Sequence, residues 1–414
     1  MSAPTNVVLA LLLLAATAVG AAQQDVLLGQ ATRESVRAHN RFAIETHQRA
    51  IRRKLAGSNI VLSPLSIRVA LSMLLPGSLG ETRAELDALI NGSIERDLIG
   101  AIVGEVGAGK EVKLANSLWV QEGVRVEPTY RATLARDFAA SVEELDLQGD
   151  REGACRRLNA WALKHTGGLV PGSWQPEAIS PLLKLVMVNA FYFGAKWQEP
   201  FPKRASKPEA FWVGSSQRVE VRMMRLQADL NFVRDDAFDV VQLPYRGSQF
   251  SMLLFVPRTV GGLAALEGSL SVPKLAAIRS EMKKSKVRLS LPSFDIRSDL
   301  DVEAVLTDGA SPRLFQRGSA DLSPMTGDAE TWLGGMVHEA RIKVDEEGAR
   351  VAAVTTGKVY YGPGPIVYRV LANRPFFYAV QENRTGALLV TGRLARPKGR
   401  SLTEAPFRVG AETG

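Results

Sequence analysis

Asp345-Glu346-Glu347-Gly348-Ala349-Arg350-Val351-Ala352-Ala353-Val354-Thr355-Thr356-Gly357-Lys358-Val359-Tyr360-Tyr361-Gly362-Pro363-Gly364-Pro365 is the stretch whose reading decides this chain. It opens on acid and glycine, runs through small and β-branched residues, and ends in a Gly-Pro tract that cannot be a strand. With a period of two, one face carries Ala349, Val351, Ala353, Thr355, Gly357, Val359 and Tyr361, and the other Arg350, Ala352, Val354, Thr356, Lys358 and Tyr360. Both charges fall on one face, as a strand with one buried side requires. In the opposite phase Arg350 and Lys358 would be buried unpaired, at a cost of several kcal/mol each. Pro363 and Pro365 lack amide donors and belong outside any central strand. The segment therefore reads as an exposed loop that can also serve as a strand over Ala349–Tyr361.

Strand-like runs flank it, at 335–344 on one side and at 366–370, 375–381 and 387–394 on the other. Farther back, 182–193, 218–224, 240–243, 250–256 and 286–291 also read as strands. Helical spacing marks 31–55, 64–75, 82–90, 128–138 and 154–165. Helices dominate the first half and strands the second, with no 20–50-residue repeat and no low-complexity linker. That pattern predicts a single α+β domain rather than alternating βαβ units.

The 414 residues carry 51 Lys+Arg against 43 Asp+Glu, a net charge of +8, with 46% apolar residues. This excludes a disordered, collagen-like or polytopic membrane chain, and the mild charge is not that of a nucleic-acid binder. Val7–Ala22 is apolar or small throughout, shorter than the roughly 20 residues of a membrane span, and ends in small residues before Gln23-Gln24-Asp25. Residues 1–22 are expected to be a cleaved signal peptide, and the product secreted and extracellular. The n-region, without Lys or Arg, departs from that pattern. Cys155 is the only cysteine, so no internal disulfide is possible and a large core must hold the fold. Asn91-Gly92-Ser93 and Asn383-Arg384-Thr385 are glycosylation sequons for an exported chain.

Enzyme motifs fail on inspection. Gly104–Lys110 approaches a phosphate-binding loop, but Glu111 stands where Ser or Thr must meet magnesium and would repel phosphate. There is no Gly-x-Ser-x-Gly elbow, and His338-Glu339-Ala340-Arg341-Ile342 lacks the second histidine of a zinc helix. No catalytic residue, metal or cofactor is expected. Basic residues on the first helix (Arg33, Arg37, Arg41, Arg49, Arg52, Arg53, Lys54) and in Lys283-Lys284-Ser285-Lys286-Val287-Arg288 offer sites for a sulfated polysaccharide, or simply solvated faces.

Motifs in order along the chain resemble the serpin family. Asn59-Ile-Val-Leu-Ser63-Pro64-Leu-Ser66 is similar to its Asn-x-x-x-Ser-Pro-x-Ser motif, and Val188-Asn189-Ala190-Phe191-Tyr192-Phe193…Trp197 to its Val-Asn-Ala-x-Tyr-Phe-x-x-x-Trp stretch. Met223-Met224, Leu243-Pro244-Tyr245, Leu291-Pro292-Ser293-Phe294, Ala320-Asp321-Leu322-Ser323, Val337-His338-Glu339-Ala340, Glu346-Glu347-Gly348, Asn373-Arg374-Pro375-Phe376 and Gly392-Arg393 follow in register.

The resemblance implies a single domain over 31–397, with a tail at 398–414. It also implies three β-sheets, eight or nine helices and an exposed reactive-site loop. It implies a monomer that traps an extracellular serine protease covalently, binding neither nucleic acid nor membrane. In such a trap the protease cleaves the loop, stays attached as an acyl-enzyme, and is carried along as the hinge inserts into the central sheet. The hinge would be Glu347, Gly348, Ala349, Arg350, Val351, Ala352 and Ala353. Arg350 replaces the family's usual acid there, and Val351 replaces a small inward residue, costing about 1–3 kcal/mol of crowding if the core cannot adjust. Ser63, Ser66, Asn189 and His338 would sit in the region that opens, with Trp197 near the insertion point. The family spacing points to Tyr361–Gly362 as the reactive bond, for a chymotrypsin-like protease. Lys358–Val359 would suit a trypsin-like one, and Tyr360–Tyr361 and Val359–Tyr360 stay open. A non-inhibitory carrier or chaperone on the same scaffold is the alternative.

Overall fold

Leu185–Phe193 (β4) is a continuous apolar run because both faces of this central strand are covered. It pairs in parallel with Met336–Val344 (β11), Met187 opposite Met336 through Phe193 opposite Ile342. Phe294–Asp301 (β10) lies antiparallel to β11 at the edge, and its strict alternation leaves every second residue in water. On the other side Val112–Gln121 (β2) runs antiparallel to β4, and Ser141–Leu145 (β3) closes the five-stranded sheet. The structure, a computed structural model, describes residues 30–53, 57–92, 112–168, 172, 174–180, 182–307, 311–346 and 366–402. The expected signal segment 1–22, the glycine-rich 104–111, the expected hinge residues 347–353 and the candidate bonds at 358–359 and 361–362 lie outside them.

The remaining strands form a ten-stranded network built around one long strand, Arg218–Arg234 (β6). One arm runs Ile60–Leu62 (β1), Leu388–Leu394 (β14), Phe376–Glu382 (β13), Phe250–Pro257 (β8) and Phe238–Pro244 (β7), joining β6 at Asn231–Arg234. The other arm is Lys207–Trp212 (β5), Lys283–Pro292 (β9), Val367–Leu371 (β12) and Arg400–Leu402 (β15). The second and third of the three expected sheets are thus these two arms, hydrogen-bonded to each other through β6. Where β1 meets β14, Gly392 is required. A Cβ there would stand 2.5 Å from the Ile60 carbonyl and 2.4 Å from Tyr378 Oη.

Nine α-helices are present among the described residues: Gln30–Arg53 (α1), Pro64–Leu74 (α2), Gly80–Leu89 (α3), Pro128–Phe138 (α4), Arg151–His165 (α5), Leu263–Ser269 (α6), Val272–Glu281 (α7), Val302–Leu306 (α8) and Ser323–Thr326 (α9). Val186, Val188 and Ala190 of β4 pack under α5 with Leu158, Trp161 and the buried Cys155. Phe191 and Phe193, on the opposite face, meet the core shared with β6–β9, β13 and β14. Beyond that network α1, α6 and α7 cover its outer face. Burial pushes the Cys155 thiol up, the direction of an inert sulfhydryl.

The α+β reading stands, but its halves are less segregated than expected, since β1 to β3 fall early and α6 to α9 late. β6 runs ten residues past the expected end at Met224, because Arg225, Gln227, Asp229 and Asn231 alternate outward while Leu226, Leu230 and Phe232 are buried. Residues 400–402, read only as tail, form a strand on β6.

Candidate functional site

Across the five-stranded sheet, His338, Asn189 and Asn116 sit side by side, since β11, β4 and β2 pair in that register. All three face the N-terminus of α2, where Ser63 caps the helix by accepting from Ser66 N–H and Pro64 occupies the first turn. Ser63, Ser66, Asn189 and His338 are each fully buried, so every polar atom needs a partner. The Ser63 N–H donates to His338 Nε2 at 2.9 Å, which leaves the ring proton on Nδ1, donated to Asn189 Oδ1 at 2.6 Å. Ser66 Oγ donates to the same Oδ1, and Asn189 Nδ2 donates to Ser66 O at 3.2 Å and Asn116 Oδ1 at 2.5 Å. Ser63 Oγ donates to Leu389 O of β14 at 2.8 Å. Asn189 thus makes all four hydrogen bonds an amide can make. The link between β4 and β11 is therefore a polar clasp as well as a backbone ladder.

Burial holds His338 neutral by moving its pKa down to about 3. His39 on α1 is likewise down to about 3, through burial first and the charge of Arg68 second. Both groups bind a proton in the unfolded chain near 6.5 and refuse it when folded. The stability they confer is full above about 6.5 and is lost as pH falls toward 3. Between pH 6.5 and 5 each contributes a loss of about 2 kcal/mol. The depressed carboxylates, such as Asp295 and Asp235, act only below their ordinary range near 3.8. Urea melts at pH 7.5 and 5.0 should show the intact protein weaker at the lower pH by about 4 kcal/mol. Equal midpoints would contradict the neutral-histidine assignment.

Trp197 stands apart from the clasp, about 23 Å along β11. Its Nε1–H donates to Asp345 O at 2.9 Å, and its ring stacks on Tyr245 with centroids 4.4 Å apart. Asp345 immediately follows β11, so Trp197 pins the backbone where the chain leaves the sheet. The next residue, Glu346, is held by the Arg222 guanidinium of β6. The structure thus brings Ser63, Ser66, Asn189 and His338 into one network and places Trp197 at the loop's base. Sequence reading missed Asn116 and Arg222, and placed Glu346 in a family motif without its partner. The alternation Lys113, Ala115, Ser117 against Leu114, Asn116, Leu118 hid Asn116, and nothing local signals a pair 124 residues apart.

The two sequons differ in accessible chemistry. Asn383 Nδ2 donates to Ser248 O at 2.8 Å and its Oδ1 accepts from Gln242 and Gln381. Asn91, at the C-terminal turn of α3, has φ 58°. Its carbonyl and that of Gly92 accept from the buried Arg68, whose pKa burial lowers to about 10. On β9 the alternation puts Lys284, Lys286 and Arg288 on the outer face, and Arg369 of β12 stands in register beside Arg288. Asp229 of β6, opposite Lys286, is an acid on that face. Arg33, Arg37, Arg41, Arg52 and Arg53 are exposed along α1, and Arg49 is half-buried.

Residues 37–397 match the family model described as serpin (serine protease inhibitor). The chain is 32% identical over 355 residues to a serine protease inhibitor of Cyanea capillata, covering 83% of this chain and 93% of the relative. It is 30% identical to human serpin B9 (82% and 93% covered) and 28% to the leukocyte elastase inhibitor of Equus caballus (87% and 98%). Among solved structures, uncleaved ovalbumin superposes with a TM-score of 0.79 at 21% identity, covering 87% of this chain and all of that one. Native protease nexin-1 with heparin gives 0.78 at 22%, covering 88% and 99%. At those identities the likeness is one of fold.

Proposed function

We propose, on the premise that the chain belongs to the serpin family, that it is a suicide inhibitor of a serine protease rather than an enzyme. The observation that carries this reading is the sheet itself. β11 leads straight into the charge-sorted segment 349–361, and β11 and β4 are parallel neighbours bonded to each other. A segment turning back from β11 runs antiparallel to both, so its insertion exchanges one parallel ladder for two antiparallel ones, the slightly stronger kind. The protease serine attacks the Tyr361 carbonyl, the Tyr361–Gly362 bond breaks, and the new Gly362 amine takes the proton. The ester left on Tyr361 is dragged away with the inserting strand before water reaches it. Lys358–Val359 is the second candidate bond, leaving a shorter strand.

Incubation with chymotrypsin and with trypsin, followed by denaturing gels and intact mass, tests the proposal. The expected product is an SDS-resistant complex plus a C-terminal fragment beginning at Gly362. Clean cleavage with fully active protease, and no rise in melting temperature after nicking, would favour the carrier or chaperone alternative, which Val351 on the inward face motivates.

The apolar run 7–22 supports secretion through a cleaved signal, and the two sequons a glycoprotein. No helix among the described residues is long and apolar enough to cross a membrane. The outer face of β9 and β12 supports a sulfated polysaccharide as an accessory ligand. Among the described residues Lys284, Lys286 and Arg369 make no ion pair, and these cations are free for sulfate. Replacing Lys284, Lys286, Arg288 and Arg369 with Ala should lower the salt needed to elute the protein from immobilised heparin. A control replacing Arg33, Arg37, Arg41 and Arg53 should elute nearer the wild type. Equal shifts would reduce the effect to net charge.

A further inference from the structure

The family match ends at residue 397, yet the chain goes on to build structure. Arg400–Leu402 (β15) pairs antiparallel with Arg218–Glu220 of β6, Arg400 opposite Glu220 and Leu402 opposite Arg218. The edges of β6 can be sorted from the register. β5 pairs with residues 218–223 on one edge, and β9 pairs from Met223 onward on the other. Because residues 218–220 bond β5 on their first edge, β15 lies on the edge of β9. It caps the stretch that β9 leaves bare when it departs at Pro292. An uncapped strand edge is a template for another chain.

The approach to that edge is built, not loose. Ala395 N–H and Arg396 N–H both donate to Asn59 Oδ1 at 2.8 Å, and Asn59 Nδ2 donates to Arg396 O at 2.6 Å. Arg396 also donates to Gln217 Oε1 at 3.1 Å. Gly399 then passes so close to β6 that a Cβ would stand 2.1 Å from Glu220 O and 3.1 Å from its carbonyl carbon. Both contacts are backbone, so only glycine fits.

This crossing lies against the base of the loop. Pro397 and Lys398 line a cavity of about 690 Å³ together with Val344, Asp345 and Glu346, and Asp295 of β10 lies across it. Arg341 chiefly, with Lys343 and Lys398 behind it, holds the Asp295 carboxyl below its usual range. Glu346 is bound to Arg222, two residues beyond the Glu220 that β15 covers. The segment 395–402 therefore bonds Asn59, the residue before β1, and β6, and shares with Asp295 of β10 the cavity at the point where the chain leaves β11.

We infer that residues 398–402 are a strap that holds the mouth of the five-stranded sheet shut until the loop is cut, and positions Glu346 beside Arg222. This rests on the insertion mechanism proposed above and adds a brake to it. For the loop to enter, β11 with β10 must separate from β4. The strap opposes that by bonding β6 on one side and facing β10 on the other.

Two variants test it: truncation after Pro397, and Gly399→Val in the full chain, which drives a side chain into Glu220 O. Without protease, both are expected to melt a few degrees lower than wild type when intact. Backbone amide exchange should rise within residues 218–220, and loss of inhibitory activity on standing at 37 °C should be about tenfold faster. Once nicked and inserted, all three proteins should melt alike, because the mouth is then filled. Gly399→Ala, the milder change, should fall between wild type and Gly399→Val. Unchanged amide exchange and unchanged melting of the intact variants would overturn the strap. If wild type itself forms no covalent complex, the inhibitor reading fails alone. The exchange and melting of the intact proteins would still decide whether the strap exists.

Discussion

Replacing Ala353 with Arg is expected to turn the protein from an inhibitor into a substrate. Ala353 lies on the face that carries Ala349, Val351, Thr355, Gly357, Val359 and Tyr361, the one free of charge. On insertion that face must leave water. In the structure the corresponding side of β4 carries Met187, Asn189, Phe191 and Phe193, all buried. An arginine entering there without a partner costs several kcal/mol. Every 1.4 kcal/mol added to the insertion barrier slows that step about tenfold, so a slowing of about 100-fold or more is expected. Hydrolysis of the acyl bond then wins. The SDS-resistant band should disappear while the rate of loop cleavage barely changes, because the contacts made before insertion are untouched. The control lies one residue away. Ala352 falls on the face with Arg350 and Lys358, which stays in solvent, so Ala352→Arg should still trap protease. If Ala352→Arg abolishes trapping and Ala353→Arg does not, the faces are reversed. If neither does, strand insertion is not the trap.

How much of this was legible from residues depended on whether a side chain's environment is written locally. β4 was readable because a strand covered on both faces must be apolar from end to end. β10 was not, because Phe294, Ile296, Ser298 and Leu300 are separated by Asp295, Arg297, Asp299 and Asp301, and an edge strand looks like a polar turn region. The far half of β6 hid for the same reason, its outward Arg225, Gln227, Asp229 and Asn231 masking an inward apolar series. The clasp was legible as positions, through the family resemblance of Ser63, Ser66, Asn189 and His338, but not as chemistry. That Nε2 of His338 accepts from a backbone N–H, and so fixes a neutral ring, follows only from the register of β11 on β4. Trp197 was readable as a neighbour of the opening, whereas its bond to Asp345 O was not, being a contact to backbone. The strap was least legible of all. Arg400-Ser401-Leu402 has no strand signature, and it is a strand only because β9 leaves β6 early.

Asn189→Ala is expected to destabilise the intact protein more than the cleaved one, and that asymmetry is the point of the experiment. In the intact fold, removing the amide leaves His338 Nδ1–H and the Ser66 hydroxyl without an acceptor, and Asn116 Oδ1 without a donor. All lie in a site closed to water. Two orphaned donors at about 1–3 kcal/mol each give a loss of about 2–6 kcal/mol, or a fall of about 3–8 °C in Tm for a domain of this size. Insertion changes the accounting, because a strand placed between β4 and β11 moves them from about 4.8 Å to about 9.6 Å apart. At that separation His338 cannot reach Asn189, so the cleaved wild type has already given up the clasp's central bond. The nicked variant should therefore lose at most half of what the intact one loses, and the rise in Tm on nicking should be larger for Asn189→Ala than for wild type. The same reasoning makes the variant lose inhibitory activity faster on standing, since part of the cost of parting β4 from β11 has been removed in advance. Calorimetric melts of four samples, wild type and variant, each intact and nicked, decide the matter. Equal losses in both forms would mean that the clasp supports the core in general and takes no part in holding the sheet closed.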